Sequence, residues 1–182
     1  MRLCLIFLAC ASLFGIGQHK LQHISPRGKN IEIEDHSVWY VRKKNRPVSL
    51  KWQKGDELSI YPNLDPVTSS DYPFCIKNTS LLTPSILTTL KLGPLKKSKN
   101  ANWIEKIKRD ERQIRTLNGS LQLVKWLIEE KDLDMLDTWK TKHGIIIGLN
   151  EGLFSWWYSS YKYILINVNT CEWIRVMPLS VP

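Results

Sequence analysis

The sequence predicts an all-β protein of two tandem small modules, each barrel-like or sandwich-like, with a short helix or long loop inserted in the second. Three observations carry this. The first is a repeat: Leu21/Ile104, Ile24/Ile107, Ile31/Ile114, Asp35/Asn118, Ser37/Ser120, Val38/Leu121, Val41/Val124 and Arg42/Lys125 all stand 83 positions apart, and Trp52/Trp139 and Tyr72/Tyr161 continue in the same order at 87 and 89. One duplication of a module leaves such a pattern, whereas a solenoid would repeat at a shorter period. The second is a run of short alternating apolar stretches separated by turn residues every 8–12 positions or so, as in small barrels and sandwiches. The third is turn chemistry at one aligned place, Asp35-His36 in the first copy and Asn118-Gly119 in the second.

The chain opens with Met1-Arg2, runs through apolar residues from Leu3 to Gly17, and turns polar at Gln18-His19-Lys20. One positive charge, a short apolar core and a small-residue ending read as a secretory leader cleaved near Gly17. At about 15 apolar residues the stretch is short for a spanning helix, which needs roughly 20. A lipoprotein anchored through Cys10 is the alternative, although the apolar residues after Cys10 fit it poorly. No later stretch is long and apolar enough to span a membrane. The expected organisation is a leader over 1–17, a first module over 18–93, a polar linker over 94–102 and a second module over 103–182.

Within the first module, Ile31 and Ile33 share one face of a strand. Asp35-His36 turns the chain into Val38-Trp39-Tyr40-Val41, whose β-branched and aromatic residues suit a pleated surface. The matching Asn118-Gly119 is a strong hairpin signal, because both central residues of such a turn take positive φ. A strand at Leu50-Lys51-Trp52, a Gly55-Asp56 turn, a strand at Leu58-Ser59-Ile60-Tyr61, and strands over 72–78 and 86–92 follow. The second module answers with strands around Trp139, over 144–149, over 161–167 and over 173–177. Trp126 to Leu136 carries helix-forming residues with apolar positions three to four apart, and is read as the insertion. Trp39, Trp52 and Trp139 are expected in the cores.

The full chain carries a net charge of +9, which falls by one when Arg2 leaves with the leader. Lysine and arginine gather at Arg42-Lys43-Lys44-Asn45-Arg46, at Lys96-Lys97-Ser98-Lys99, and along Lys106, Lys108, Arg109, Arg112 and Arg115. Such clusters attract polyanions through a sequence-independent Coulomb term. Export argues against nucleic acid, so the candidate partners are anionic envelope material or an acidic protein. Of 8 tryptophans, two fall in Phe154-Ser155-Trp156-Trp157-Tyr158, an aromatic stretch without a counterpart in the first copy. Exposed rings of this kind stack on sugars or anchor interfaces. The candidate binding residues are therefore Arg42, Lys43, Lys44, Arg46, Trp156, Trp157 and Tyr158.

Signals for catalysis are missing: there is no Gly-x-Ser-x-Gly, no His-Glu-x-x-His, no cysteine pair at zinc spacing, and no cofactor fingerprint. Glu32 and Glu34 fall together on the polar face of their strand and read as a solvated surface. After leader removal Cys75 and Cys171 remain. In an oxidising compartment they are a candidate disulfide, and a buried thiol at Cys75 is the alternative.

The hairpin Ile31-Glu32-Ile33-Glu34-Asp35-His36-Ser37-Val38-Trp39, the turn Trp52-Gln53-Lys54-Gly55-Asp56 and the strand Tyr72-Pro73-Phe74 resemble those of small uncharacterised exported proteins of Chlamydia-like bacteria. The resemblance covers most of the first copy and implies export and an all-β module, without implying a site. The expectation is an exported, non-enzymatic protein that binds an envelope or extracellular partner. Its rival is an envelope hydrolase with a site between the modules. A cleft lined by converging acids and histidines would favour the enzyme, and a patch of rings and lysines the binding protein.

Overall fold

The computed structural model describes residues 15–81, 83–150 and 159–180. Strands β1 (Gln18–Ile24), β2 (Asn30–Ile33), β3 (Val38–Val41), β4 (Glu57–Pro62), β5 (Phe74–Asn78) and β6 (Ile86–Leu92) close into one antiparallel barrel in the order β1-β2-β3-β6-β5-β4. Strands β7 (Asn102–Lys108), β8 (Gln113–Asn118), β9 (Leu123–Ile128), β10 (Gly144–Leu149), β11 (Tyr163–Asn167) and β12 (Trp173–Ser180) close into another, in the order β7-β8-β9-β12-β11-β10. Strand for strand the order is the same. Closure pairs every strand on both sides, which removes the open edge that an isolated sheet of this size would expose.

The duplication extends to an irregularity. Pairing of β1 with β2 passes from Leu21↔Ile33 to His23↔Glu32, skipping Gln22, and that of β7 with β8 passes from Ile104↔Thr116 to Lys106↔Arg115, skipping Glu105. Each is a bulge that bends its strand into the barrel, and both lie at the 83-residue offset.

Beyond β2 the correspondence departs from the one expected. Ile31 pairs with Trp39 and Ile114 with Trp126, so Trp39 matches Trp126, Val41 matches Ile128 rather than Val124, and Arg42 matches Glu129 rather than Lys125. The four extra residues of the second copy lie in the β8–β9 turn, not between Val124 and Trp139. The cores make the match plain. Trp39 and Trp126 are both fully buried. Each donates its indole N–H to a hydroxyl, Ser37 Oγ at 3.0 Å and Thr116 Oγ1 at 2.8 Å. Each meets a ring edge-on, Phe74 at 5.6 Å and Tyr163 at 5.9 Å.

The turns differ from expectation as well. In the first copy His36 is left-handed, with φ 68°, but in the second the left-handed residue is Leu121, with φ 62°, and not Gly119. The longer loop explains this: Asn118 Oδ1 accepts from the backbone N–H groups of both Ser120 and Gln122, and the reversal falls after Gly119. Glycine is required at 119 for a different reason, since a Cβ there would lie 2.1 Å from the Ser98 carbonyl oxygen of the linker.

From β3 the chain crosses the barrel through a 3-10 turn at Lys43–Asn45 and helix α1 (Arg46–Ser49), and from β9 through a 3-10 helix at Glu130–Thr138. The short helix of the second module thus has a counterpart in the first. Leu50-Lys51-Trp52, expected as a strand, instead closes α1, with Leu50 N–H bonded to Arg46 O at 3.0 Å and Trp52 N–H to Ser49 O at 3.1 Å. Pro47 presets the helical φ at the start of that helix and overrides the strand propensity that follows. Trp52 and Trp139 are nonetheless buried, packed under their crossovers.

The barrels are not separate bodies. Ile146, Ile164 and Ile166, on the outer face of β10 and β11, belong to the core cluster of the first barrel. The backbones of β4 and β10 meet closely enough that a Cβ on Gly148 would lie 2.6 Å from the Ile60 carbonyl oxygen. Cys75 lies buried on β5 and Cys171 exposed in the β11–β12 turn; both are free thiols, so the candidate bridge is not formed. Burial pushes the Cys75 thiol up to about 11.

Candidate functional site

The basic cluster of the first copy does not project from a hairpin tip, as a strand-only reading of this segment would have it. It lies on the crossover, and half of it is engaged. The Arg46 guanidinium sits 5.5 Å from the Tyr40 ring centre and donates from Nη2 to Tyr40 Oη at 2.9 Å, while that of Arg42 sits 5.8 Å from the Tyr72 ring centre. Lys43 and Lys44 are exposed. Trp156, Trp157 and Tyr158 lie outside the described residues.

The second basic series is largely neutralised. Arg109 pairs with Asp137, Arg112 with Glu130 and Lys108 with Glu111, so the acidic 3-10 helix of the second crossover faces the β7–β8 hairpin charge for charge. Asp132, buried in that helix, accepts from the Arg175 backbone N–H and guanidinium, each at 2.7 Å.

The acids of the first hairpin part company, Glu32 keeping a surface setting and Glu34 not. Glu32 bonds His36 at 2.7 Å, and Glu34 holds His19 at 2.8 Å where the barrels meet. His19 Nδ1 faces the Glu34 carboxylate and Nε2 faces the Ile147 carbonyl oxygen at 2.8 Å. Both partners accept, so both ring nitrogens carry protons and the ring is an imidazolium. Burial works to lower the pKa of His19, but the hydrogen bond and charge of Glu34 outweigh it and hold it above the ordinary 6.5. Burial likewise works to raise Glu34, and His19 brings it below 4.5. Asp35, beside them, is raised by burial. With both nitrogens committed, His19 has no free site from which to act as a base. Among the described residues no group of three or more His, Cys, Asp or Glu is placed to hold a metal ion. Nor is any described helix long and apolar enough to cross a membrane.

A groove of about 500 Å³ opens where the linker passes over the second barrel, lined by Lys96, Asn102, Trp103, Lys142 and Asn169 around a floor of Gly144 and Val168. The duplication explains why it lies here. Trp103 occupies the position of Lys20, placing a ring on the outer face of β7, and the linker supplies a wall. That wall is fixed at both ends: Leu95 N–H bonds Asp35 O at 2.9 Å, and Gly119 N–H bonds Ala101 O at 2.9 Å.

Lys142 takes the place of Gly55. The two turns are held alike, with Gly55 N–H bonded to Leu21 O and Lys142 N–H to Ile104 O, both at 2.8 Å. Both residues are left-handed, with φ 94° and 69°. Lysine there is strained by roughly 1 kcal/mol or more, a cost the first copy avoids with glycine. Among the described residues neither Lys96 nor Lys142 has an ion-pair partner. Asn169 Oδ1 accepts from Gly144 N–H at 3.2 Å and Asn102 Nδ2 donates to Asn100 O at 3.2 Å, and among the described residues Asn169 Nδ2 and Asn102 Oδ1 have no hydrogen-bond partner.

The basic linker containing Lys96 was visible in the sequence, but Trp103, Lys142, Asn102 and Asn169 were not singled out. The available signal was the exchange of Lys20 for Trp103 and Gly55 for Lys142 between the copies. Reading it required the alignment that the structure supplies. Against known proteins, no family, no curated protein and no solved structure matches the chain.

Proposed function

We propose that this chain is an exported, non-enzymatic binding protein whose duplicated barrels present a groove for an anionic envelope or extracellular ligand. The observation that carries the reading is the lining of the groove: a tryptophan ring and two lysines outside any ion pair, in place of converging acids and histidines. The hydrolase alternative loses support at the barrel junction, where the only buried histidine of the described chain is locked between two acceptors.

The test is a pull-down of the purified protein against envelope fractions, comparing the wild type with a Lys96→Ala/Lys142→Gly double variant. The wild type is expected to retain anionic material, and retention is expected to fall with salt as the Debye length shrinks from about 10 Å towards 3 Å. Equal retention by both proteins would refute the groove. Export is tested separately, by sequencing the N-terminus of protein recovered outside the cytoplasm, which is expected to begin close to Gln18.

A further inference from the structure

We infer that the groove takes an acidic sugar, a pyranose bearing a carboxylate, with Trp103 as the stacking platform and Lys96 and Lys142 as the carboxylate partners. This inference rests on the proposed anion-binding role and names its ligand class. A bare phosphate is well held by a nest of backbone N–H groups. In the lining the Gly144 N–H is already bonded to Asn169.

A sugar needs what is present. An indole face, half-buried on β7, covers the apolar C–H face of a pyranose. The unpartnered Asn102 Oδ1 and Asn169 Nδ2 offer one acceptor and one donor, which suits hydroxyl groups that both give and receive. The lining also carries two ammonium groups, one on the linker and one on the β9–β10 connection, and either is a point-charge partner for a carboxylate. The volume, about 500 Å³, falls in the range of small-ligand sites. The linker wall is pinned to both barrels, so the groove is formed before the ligand arrives and association does not have to order it.

The left-handed Lys142 gives the test a control. Lys142→Gly should raise the melting temperature, because it relieves a positive φ, and should still weaken binding. Loss of binding then cannot be misfolding. The experiment titrates the wild type, Trp103→Ala and Lys142→Gly by calorimetry with a galacturonic acid tetrasaccharide, its neutral methyl ester, inorganic phosphate, and phosphatidylglycerol vesicles. The acidic tetrasaccharide is expected to bind the wild type about tenfold more tightly than either variant and than the ester binds the wild type.

Binding of phosphate or vesicles that is weakened by Lys142→Gly but indifferent to Trp103→Ala, with no preference for the acidic sugar, would overturn the sugar assignment and leave the anion groove standing. Insensitivity of every probe to Lys142→Gly would overturn both.

Discussion

His19 shows how a single side chain can join the two modules. It is carried by β1 of the first barrel, is 8 % exposed, and donates to a carbonyl of β10 in the second. Its pKa is raised, so the stability it contributes is complete below 6.5 and is lost as pH rises through the higher folded value. Glu34 is lowered, so its contribution is complete above 4.5 and is lost as pH falls through the lower folded value. The pair is therefore worth most between about pH 4.5 and 6.5, while the raised Asp35 subtracts as it ionises. Replacing His19 with Asn is expected to cost about 1–3 kcal/mol within that window, because half-buried Glu34 loses its charged partner and keeps only the Lys20 N–H at 2.6 Å, and less at pH 9. Urea denaturation of both proteins across pH checks this, and parallel stability curves would contradict it. Gly119 makes a second case at this scale. Gly119→Val is expected to cost about 1–3 kcal/mol through collision with the linker backbone at Ser98, not through φ, so Gly119→Ala should carry much of the same penalty in thermal unfolding.

At the level of elements, the crossovers show one solution with two chemistries. Asn45 Oδ1 accepts from Leu87 N–H at 3.1 Å, and Asp132 Oδ2 accepts from Arg175 N–H at 2.7 Å, each tying a crossover to the strand that follows the hairpin opposite. The backbone echoes it, with Arg42 N–H on Leu87 O and Glu129 N–H on Arg175 O. A side-chain acceptor is needed at this place because the strand N–H would otherwise be left without a partner. Only in the second copy is it also an ion-pair partner. Asp132→Asn is expected to keep the backbone bond and lose the pair, costing less than Asp132→Ala, which loses both at about 1–3 kcal/mol, since Arg175 keeps its pair with Glu129. Asn45→Ala should cost about 1–3 kcal/mol. Equal losses for Asp132→Asn and Asp132→Ala would show that the charge, not the cap, is what matters.

For the whole molecule, the junction decides whether two modules behave as two. Ile146, Ile164 and Ile166 would be solvent-exposed on an isolated second barrel, and here they are buried to 1 % exposure or less. Burying such side chains contributes roughly 1.5–3 kcal/mol each, a large share of the stability of a small barrel. A single cooperative unfolding transition is therefore expected for the full chain. Ile164→Lys should destabilise it and split the melt into two steps by calorimetry; two transitions already in the wild type would show that the barrels are independent.

The sequence by itself determined the class, the duplication, a rhythm of short strands and the buried tryptophans, because alternation and turn residues are local and a repeat multiplies each weak signal. It could not determine where the second copy gains its four residues. Val41 and Val124 satisfy an apolar pattern as well as Val41 and Ile128 do, and only strand pairing separates them. Nor could it show that Glu34 is packed against His19 instead of solvated, since that depends on a barrel 128 residues away in the chain closing over the ring. The groove is likewise a product of tertiary structure. Trp103 and Lys142 look like ordinary surface residues until β7 pairs with β10 and the linker crosses above them. Local physics selects strands and turns, but a site made by two walls exists only once distant segments have met.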